Sequence, residues 1–173
     1  MLRVVECKDD ILTPEIIERT VRTGNDSFMA HTSLVCMENA LTNGKVMSLQ
    51  QMKDVYETSK KHNLPVHLDG ARLFNASVAL GVDAKELAQY CDSVMVCLSK
   101  GLCAPVGSVL CGSKEFIEKA RRNRQLLGGG MRQAGFVAAC GIIALEKMVD
   151  RLADDHDNAK YMAHRLNKIK GVN

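Results

Sequence analysis

Aromatic residues are scarce in this chain of 173 residues: tryptophan is absent, and aromatic side chains make up only 4% of the sequence. A folded core must therefore be aliphatic, with help from nine methionines, whose flexible thioethers fill irregular gaps. The apolar fraction of 46% and the charged fraction of 25% are ordinary for a globular protein. The length predicts one domain that can bury a sizeable core.

Long apolar runs are also missing. No segment approaches the roughly 18 consecutive apolar residues that a membrane-spanning helix needs. Charged residues interrupt the first six positions, where a secretory signal would be continuous and apolar. We therefore expect neither a signal peptide nor a membrane partner.

A concentrated basic stripe, the usual mark of nucleic-acid binding, is lacking as well. The net charge is only +3, and the densest basic stretch, residues 121–124, falls on a predicted helix. A solvated helix face is the simplest interpretation of that stretch. We expect no nucleic-acid partner.

The seven cysteines contain no C-x-x-C pair, which excludes the common zinc and thioredoxin signatures. Their number is odd, and several fall on apolar strand segments. Buried free thiols are typical of a reducing compartment. The sequence therefore predicts a cytoplasmic protein without a metal site.

What the sequence does contain is an alternation of strand and helix patterns. The predicted strands cover residues 2–6, 33–37, 65–68, 93–98 and 108–111. The predicted helices cover residues 13–22, 48–63, 71–80, 84–90, 113–127, 132–152 and 155–170. Because the strands are apolar on both faces, the pattern predicts a three-layer α/β/α fold with a mostly parallel sheet.

Ligands of such sheets sit at the carboxyl ends of the strands, which directs attention to Glu38, Asp69, Ser99 and Lys100. The 31 residues that separate Asp69 from Lys100 (100 − 69) leave room for crossover helices between neighbouring strands. An amine and a carboxylate in one dry cleft suit pyridoxal phosphate (PLP), whose aldehyde needs a lysine and whose pyridine nitrogen needs an acid. Gly101 is expected to let the backbone pass close to the cofactor ring. The alternative is a surface lysine and an aspartate that caps the following helix.

Five segments carry a more specific resemblance. They are residues 37–39, 43–46, 67–76, 97–108 and 127–135. In order and spacing these segments resemble the low-specificity threonine aldolase family. The likeness extends over nearly the whole chain.

The resemblance implies the fold-type I, aspartate aminotransferase-like large domain of PLP enzymes. It also implies retro-aldol cleavage of L-threonine or L-allo-threonine to glycine and acetaldehyde. By position, Lys100 would form the internal aldimine, and Asp69 would pair with the pyridinium. Arg72 would hold the substrate carboxylate, Ser99 would contact the phosphate, and Arg132 would serve the anionic end of cofactor or substrate. A homo-oligomer, dimer or tetramer, is implied because family sites form between subunits.

The sequence departs from the family in two ways. Residues 1–173 match only the central, lysine-bearing part of a domain, without the upstream cofactor loop region and the downstream small domain. The family's histidine near the substrate hydroxyl has no direct counterpart, since Phe28 falls there and His31 lies three residues on. His31 is thus the candidate base, and an ordinary loop histidine is the alternative.

Two other functions stay open. The chain could be a catalytically silent fragment that keeps the fold and the oligomer contacts. It could also belong to another group of fold-type I enzymes, such as an aminotransferase or a cysteine desulfurase. The Gly-Gly-Gly-Met-Arg-Gln stretch at residues 128–133 speaks against the second of these.

Overall fold

The computed structural model describes residues 2–24 and 27–172. Within them, four strands alternate with seven α-helices after a short 3₁₀ turn, Lys8–Asp10. The strands are β1 (Val35–Glu38), β2 (Val66–Asp69), β3 (Ser93–Cys97) and β4 (Ser108–Gly112). The helices are α1 (Pro14–Thr20), α2 (Leu49–Lys61), α3 (Leu73–Leu80), α4 (Ala84–Ala88), α5 (Lys114–Leu126), α6 (Gly135–Lys147) and α7 (Leu152–Leu166).

The strands form one sheet in the order β1-β2-β3-β4. The pairs β1–β2 and β2–β3 are parallel, whereas β4 returns antiparallel to β3. Glu38 pairs with Asp69, and Asp69 pairs with Met95. The predicted α/β class with a mostly parallel sheet is therefore confirmed.

Local signals in the sequence set several helix ends. Ser48 and Gln51 form a reciprocal capping box at the start of α2, as their spacing predicts. Gly81 ends α3 in the left-handed conformation, which costs a glycine little. Ser113 caps α5 by accepting from the backbone N–H of Phe116.

The core lies on one face of the sheet. Side chains at alternate strand positions point into it, since successive side chains of a strand face opposite sides. The fully buried members at its centre are Met52, Val55, Val66, Leu68 and Leu87. A second, smaller cluster joins the end of β3 to α6 and α7, and consists of Leu98, Leu102, Ala104, Ala144 and Leu152.

Two predicted elements are wrong. Residues 2–6 form no strand, and there the guanidinium of Arg3 donates to the carbonyl oxygen of Thr20. The predicted helix 132–152 is shorter and becomes α6. Its start is delayed because Gln133 has a φ of 52°, which a right-handed helix cannot contain. Its end comes early because residues 148–151 turn and direct Leu152 into the second cluster.

No helix in the described ranges is both long and apolar enough to cross a bilayer.

Candidate active site

Asp69 is the last residue of β2, and its carboxylate is half-buried. Its Oδ1 accepts a hydrogen bond from the backbone N–H of Ala71 at 3.0 Å. The helix that follows begins only at Leu73, with Arg72 at its N-cap position, so Asp69 closes a tight turn and does not cap α3. Among the described residues, Oδ2 receives no hydrogen bond, which leaves one carboxylate oxygen available to a ligand.

Lys100 lies three residues beyond the end of β3, in a turn that we call the lysine turn (residues 98–104). Two backbone hydrogen bonds close this turn: Cys103 N–H donates to Lys100 O, and Ala104 N–H donates to Leu98 O, both at 2.9 Å. Because β2 and β3 are neighbouring parallel strands, Asp69 and the lysine turn follow strand ends on the same edge of the sheet.

The expectation of a dry cleft around the lysine is wrong for this chain by itself. Lys100 is exposed, as is Ser99 before it. Neither side chain makes a hydrogen bond or an ion pair within the described residues. Solvent therefore reaches both groups, because nothing in those ranges covers this end of the sheet.

Two glycines let the chain pack closely beside Asp69 and Lys100. A Cβ on Gly70 would meet Met95 O and Val94 Cγ2 at 2.9 Å, so β2 turns directly against β3. A Cβ on Gly101 would meet Leu152 Cδ2 at 2.6 Å. The sequence suggested that Gly101 makes room for a cofactor ring, whereas the structure fills that room with a leucine from α7.

Arg72 points toward the end of β1. Its Nη1 lies 3.6 Å from Oε1 of Glu38, and that same oxygen accepts from the hydroxyl of Thr42 at 3.2 Å. Both partners of the ion pair are about one-third exposed. The guanidinium thus lies at the predicted edge, next to a carboxylate of the chain itself.

Asn39 is a structural member of the site, and no role was predicted for it from the sequence. It is fully buried, and its backbone N–H donates to the carbonyl oxygen of Asp69 at 3.1 Å. Its side chain donates to Met47 O and accepts from Met47 N–H, both at 3.0 Å. Its position directly after β1, next to Glu38, was the available signal.

The predicted base, His31, precedes the amino end of β1, whereas Asp69 ends β2. It lines an apolar cavity of about 540 Å³ beside β1, together with Ile16, Val21 and Cys36. Neither Asp69 nor Lys100 lines that cavity. The role of His31 stays a prediction, and the structure does not bring it to the lysine turn.

Arg132 lies in the exposed segment before α6. Its side chain makes no hydrogen bond to a carbonyl in the described ranges. Its predicted role also stays a prediction.

The pKa of one thiol, that of Cys36, responds to the charges on this face of the sheet. Burial raises the pKa of Cys36, and the negative charge of Asp69 raises it further. Cys36 pairs in register with His67, whose Nδ1 lies 2.8 Å from the hydroxyl of Ser93. The uncovered face of β1–β3 therefore carries the charge of Asp69 beside the thiol of Cys36 and the side chains of His67 and Met95.

Comparison with known proteins gives this arrangement a context. The sequence matches the β-eliminating lyase family over residues 1–173. It is 47% identical to low-specificity L-threonine aldolase 1 of Arabidopsis thaliana over 168 residues, which is 95% of this chain and 47% of that protein. The chain belongs to the β-eliminating lyase family.

Two further similarities agree. The low specificity L-threonine aldolase of Escherichia coli K12 is 51% identical over 142 residues, which is 82% of this chain and 42% of that protein. The fold superposes on threonine aldolase from Leishmania major with a TM-score of 0.80 at 20% identity, covering 95% of this chain and 49% of that one. The chain spans less than half the length of the two curated relatives.

Membership confirms the resemblance drawn from the motifs. The β-eliminating lyase family and its threonine aldolase members are PLP-dependent enzymes, as the resemblance implied for the family. The fold-type I class is confirmed by the same likeness.

Proposed function

We propose that this chain is the lysine-bearing part of the large domain of a PLP-dependent aldehyde-lyase. The proposed reaction is the cleavage of L-threonine or L-allo-threonine to glycine and acetaldehyde. One observation carries the proposal: neighbouring parallel strands present an acid, Asp69, and an amine, Lys100, at one edge of the sheet. The threonine aldolase relatives supply the substrate class.

The residues present fit the cofactor. PLP, when bound, withdraws electrons from the bond that breaks in the amino acid. Lys100 offers an amine with no competing ion pair in the described residues. Asp69 offers Oδ2, which can hold a proton on the pyridine nitrogen, while the N–H of Ala71 fixes the orientation of its other oxygen. The hydroxyl of Ser99, next to Lys100, is proposed to donate to the phosphate.

Arg72 is proposed to bind the substrate carboxylate, because a planar guanidinium donates two parallel hydrogen bonds to such an anion. Glu38 holds the guanidinium at the sheet edge before substrate arrives. Arg132 is proposed to serve the anionic end of the cofactor or the substrate. His31 is proposed as the base that removes the hydroxyl proton, which requires that its segment approach a lysine turn in the homo-oligomer proposed below.

The second candidate function is a catalytically silent fragment. The exposure of Lys100 and Ser99 favours it, because water competes for every polar contact with a phosphate or an aldehyde. The loss of a few charge-assisted hydrogen bonds, each worth about 1.5–3 kcal/mol, lowers cofactor affinity by orders of magnitude.

One experiment separates the two functions. The chain is mixed with PLP, reduced with borohydride and digested, and the modified lysines are identified by mass spectrometry. We expect modification at Lys100 and its loss in Lys100→Ala, while Lys61→Ala, at an exposed lysine of α2, leaves the yield at Lys100 unchanged. Uniform labelling of surface lysines would favour the silent fragment. If Lys100 is modified selectively, the release of glycine from L-threonine tests the lyase reaction itself.

We also propose a homo-oligomer. Helix α6 is apolar along most of its length, and such helices are normally buried. Here only Gly141 and Ala144 are buried, whereas Phe136 is 88% exposed and Ile142 is 57% exposed. Light scattering should give a dimer or larger species, and Phe136→Glu should shift it toward monomer. An unchanged monomer in both proteins would contradict this proposal.

A cytoplasmic location is proposed on the state of the thiols. All seven cysteines are free in the fold, including the exposed Cys36, Cys103 and Cys111. Exposed free thiols persist in a reducing compartment. Fractionation of cells that express a tagged chain tests the location.

A further inference from the structure

The side chain of Asn75, on α3, is held between the lysine turn and α7. Its amide Nδ2 lies 3.2 Å from Nε2 of His156. The same amide group lies beside Gly101, since a Cβ built on that glycine would lie 3.5 Å from Oδ1 and 3.6 Å from Nδ2 of Asn75. One amide therefore lies beside the residue after Lys100 on one side and contacts an imidazole of α7 on the other.

A second contact accompanies the first. Leu152, the first residue of α7, is fully buried and occupies the space where Gly101 has no side chain. His156 follows Leu152 by four residues, so both side chains lie on one face of α7. On that face, Leu152 packs beside Gly101, and His156 bonds Asn75, which also lies beside Gly101.

Helix α3 also continues from the turn that begins at Asp69. The backbone N–H of Leu73 donates to Gly70 O at 2.8 Å, and Gly70 N–H donates to Met95 O at 2.8 Å. The start of α3 is therefore tied to the turn that orients Asp69, and Asn75 lies in its first turn. The neighbourhood of Asn75 and Gly101 therefore links the lysine turn to the turn that follows Asp69.

We propose that Asn75 and His156 are positioning residues for Lys100: their hydrogen bond holds the lysine turn at a fixed place beside Asp69. This inference rests on the proposed function for its catalytic meaning, while the mechanical part concerns the chain alone. Neither residue touches the cofactor or the substrate in the proposed mechanism. Their contribution acts through Gly101.

The geometry distinguishes positioning from general stabilisation. Both side chains are only half-buried, and neither belongs to the two hydrophobic clusters. Loss of a hydrogen bond at such a place disturbs the adjacent turn more than the sheet. Substitution of Asn75 or His156 should therefore increase local opening of the lysine turn more than local opening of β2.

The first arm of the test needs no cofactor. Hydrogen exchange is measured for the amides of Cys103 and Ala104, which close the lysine turn, and for Leu68 in β2 as an internal reference. The proteins compared are wild type, Asn75→Ala, His156→Ala, the double variant, and His156→Gln, which keeps a side-chain amide able to bond Asn75. His164→Ala is the matched control, since His164 is an exposed histidine of the same helix.

We expect exchange at the two turn amides to rise about three- to tenfold relative to Leu68 in each alanine variant, the range of one neutral hydrogen bond. The double variant should equal Asn75→Ala, because His156 acts on the lysine turn only through Asn75. His156→Gln should return exchange to within about twofold of wild type, and His164→Ala should have no effect. Unchanged exchange at the turn, or an equal rise at Leu68, would overturn the positioning role.

The second arm measures selective borohydride trapping of PLP at Lys100 in the same proteins. A loss of yield that follows the exchange ratio, with recovery in His156→Gln, supports positioning for the reaction. If wild type itself traps no cofactor, the proposed function fails, and the exchange arm still decides the mechanical role. If wild type traps PLP and the alanine variants trap it equally well, the inference is wrong even though the proposed function stands.

Discussion

The carboxylate of Glu38 lies 3.6 Å from the guanidinium of Arg72, the side chain proposed to bind the substrate carboxylate. An internal anion thus neutralises the arginine at the edge of the sheet until a substrate competes for it. Thr42 keeps the glutamate in place by donating to the oxygen nearest Arg72. We therefore predict that Glu38 and a substrate carboxylate compete for Arg72, and that this competition can be measured.

Glu38→Gln removes the competing charge and keeps the shape of the side chain. We expect the affinity of the PLP-loaded chain for glycine to rise by at most about fivefold, because partly exposed ion pairs contribute about 0–1 kcal/mol. Titration calorimetry with glycine measures this. Glu57→Gln, in the exposed Lys53–Glu57 pair of α2, is the matched control and should leave the affinity unchanged. Weaker glycine binding in Glu38→Gln would mean that Glu38 orients Arg72 more than it competes.

Gly101→Ala should destabilise the fold by about 1–3 kcal/mol, since the added methyl group meets Leu152 at 2.6 Å in a packed cluster. Denaturant unfolding measures the change. Gly135→Ala, at the open start of α6 with no atom within 4 Å, should change stability by less than about 0.5 kcal/mol. Combined with Leu152→Ala, Gly101→Ala should cost less than it does alone, and strict additivity would show that the clash is relieved elsewhere.

Asn39→Ala should cost about 2–4 kcal/mol, because the N–H and C=O of Met47 lose their buried partner. Thermal or chemical unfolding gives the value. Asn43→Ala is the comparison. The side chain of Asn43 accepts a hydrogen bond from the backbone N–H of Lys45, but it is exposed. Equal effects at the two positions would argue against burial as the reason for the cost.

Cys91 should make the free energy of unfolding depend on pH in the alkaline range. Burial, helped by the charges of Asp92 and of Cys111, raises its pKa from 9.0 to about 11. The unfolded thiol ionises first, so the unfolded state binds fewer protons than the folded state between these pKa values. The free energy of unfolding is therefore expected to fall as pH rises from 9.0 to about 11.

The measurement is the difference in unfolding free energy between wild type and Cys91→Ala across that pH range. Wild type should lose stability relative to the variant as pH rises, because the variant has no thiol to ionise at this position. Cys103→Ala, at an exposed cysteine, is the control. A difference that stays constant with pH would show that Cys91 is not held neutral by the fold.

The sequence by itself determined the order of elements after the first predicted strand, the mostly parallel sheet and the family. Strand–helix alternation, the Ser48–Gln51 capping box and the Gly81 stop are local signals, and local signals survive into the fold with little change. The position of Asp69 and Lys100 after strand ends is likewise local. Once the strands are neighbours, a shared edge follows from parallel pairing alone.

Only the tertiary structure decided what surrounds these two residues. That Leu152 fills the space beside Gly101 depends on two residues that are 51 positions apart (152 − 101). That Asn75 bonds His156 depends on two residues that are 81 positions apart (156 − 75). Loop packing decides two further features in the same way. They are the buried hydrogen bonds between Asn39 and Met47 and the ion pair between Glu38 and Arg72. The order of residues encodes hydrophobic periodicity and turns. The exposure of Lys100 depends instead on which segments cover it, and tertiary packing decides which segments do so.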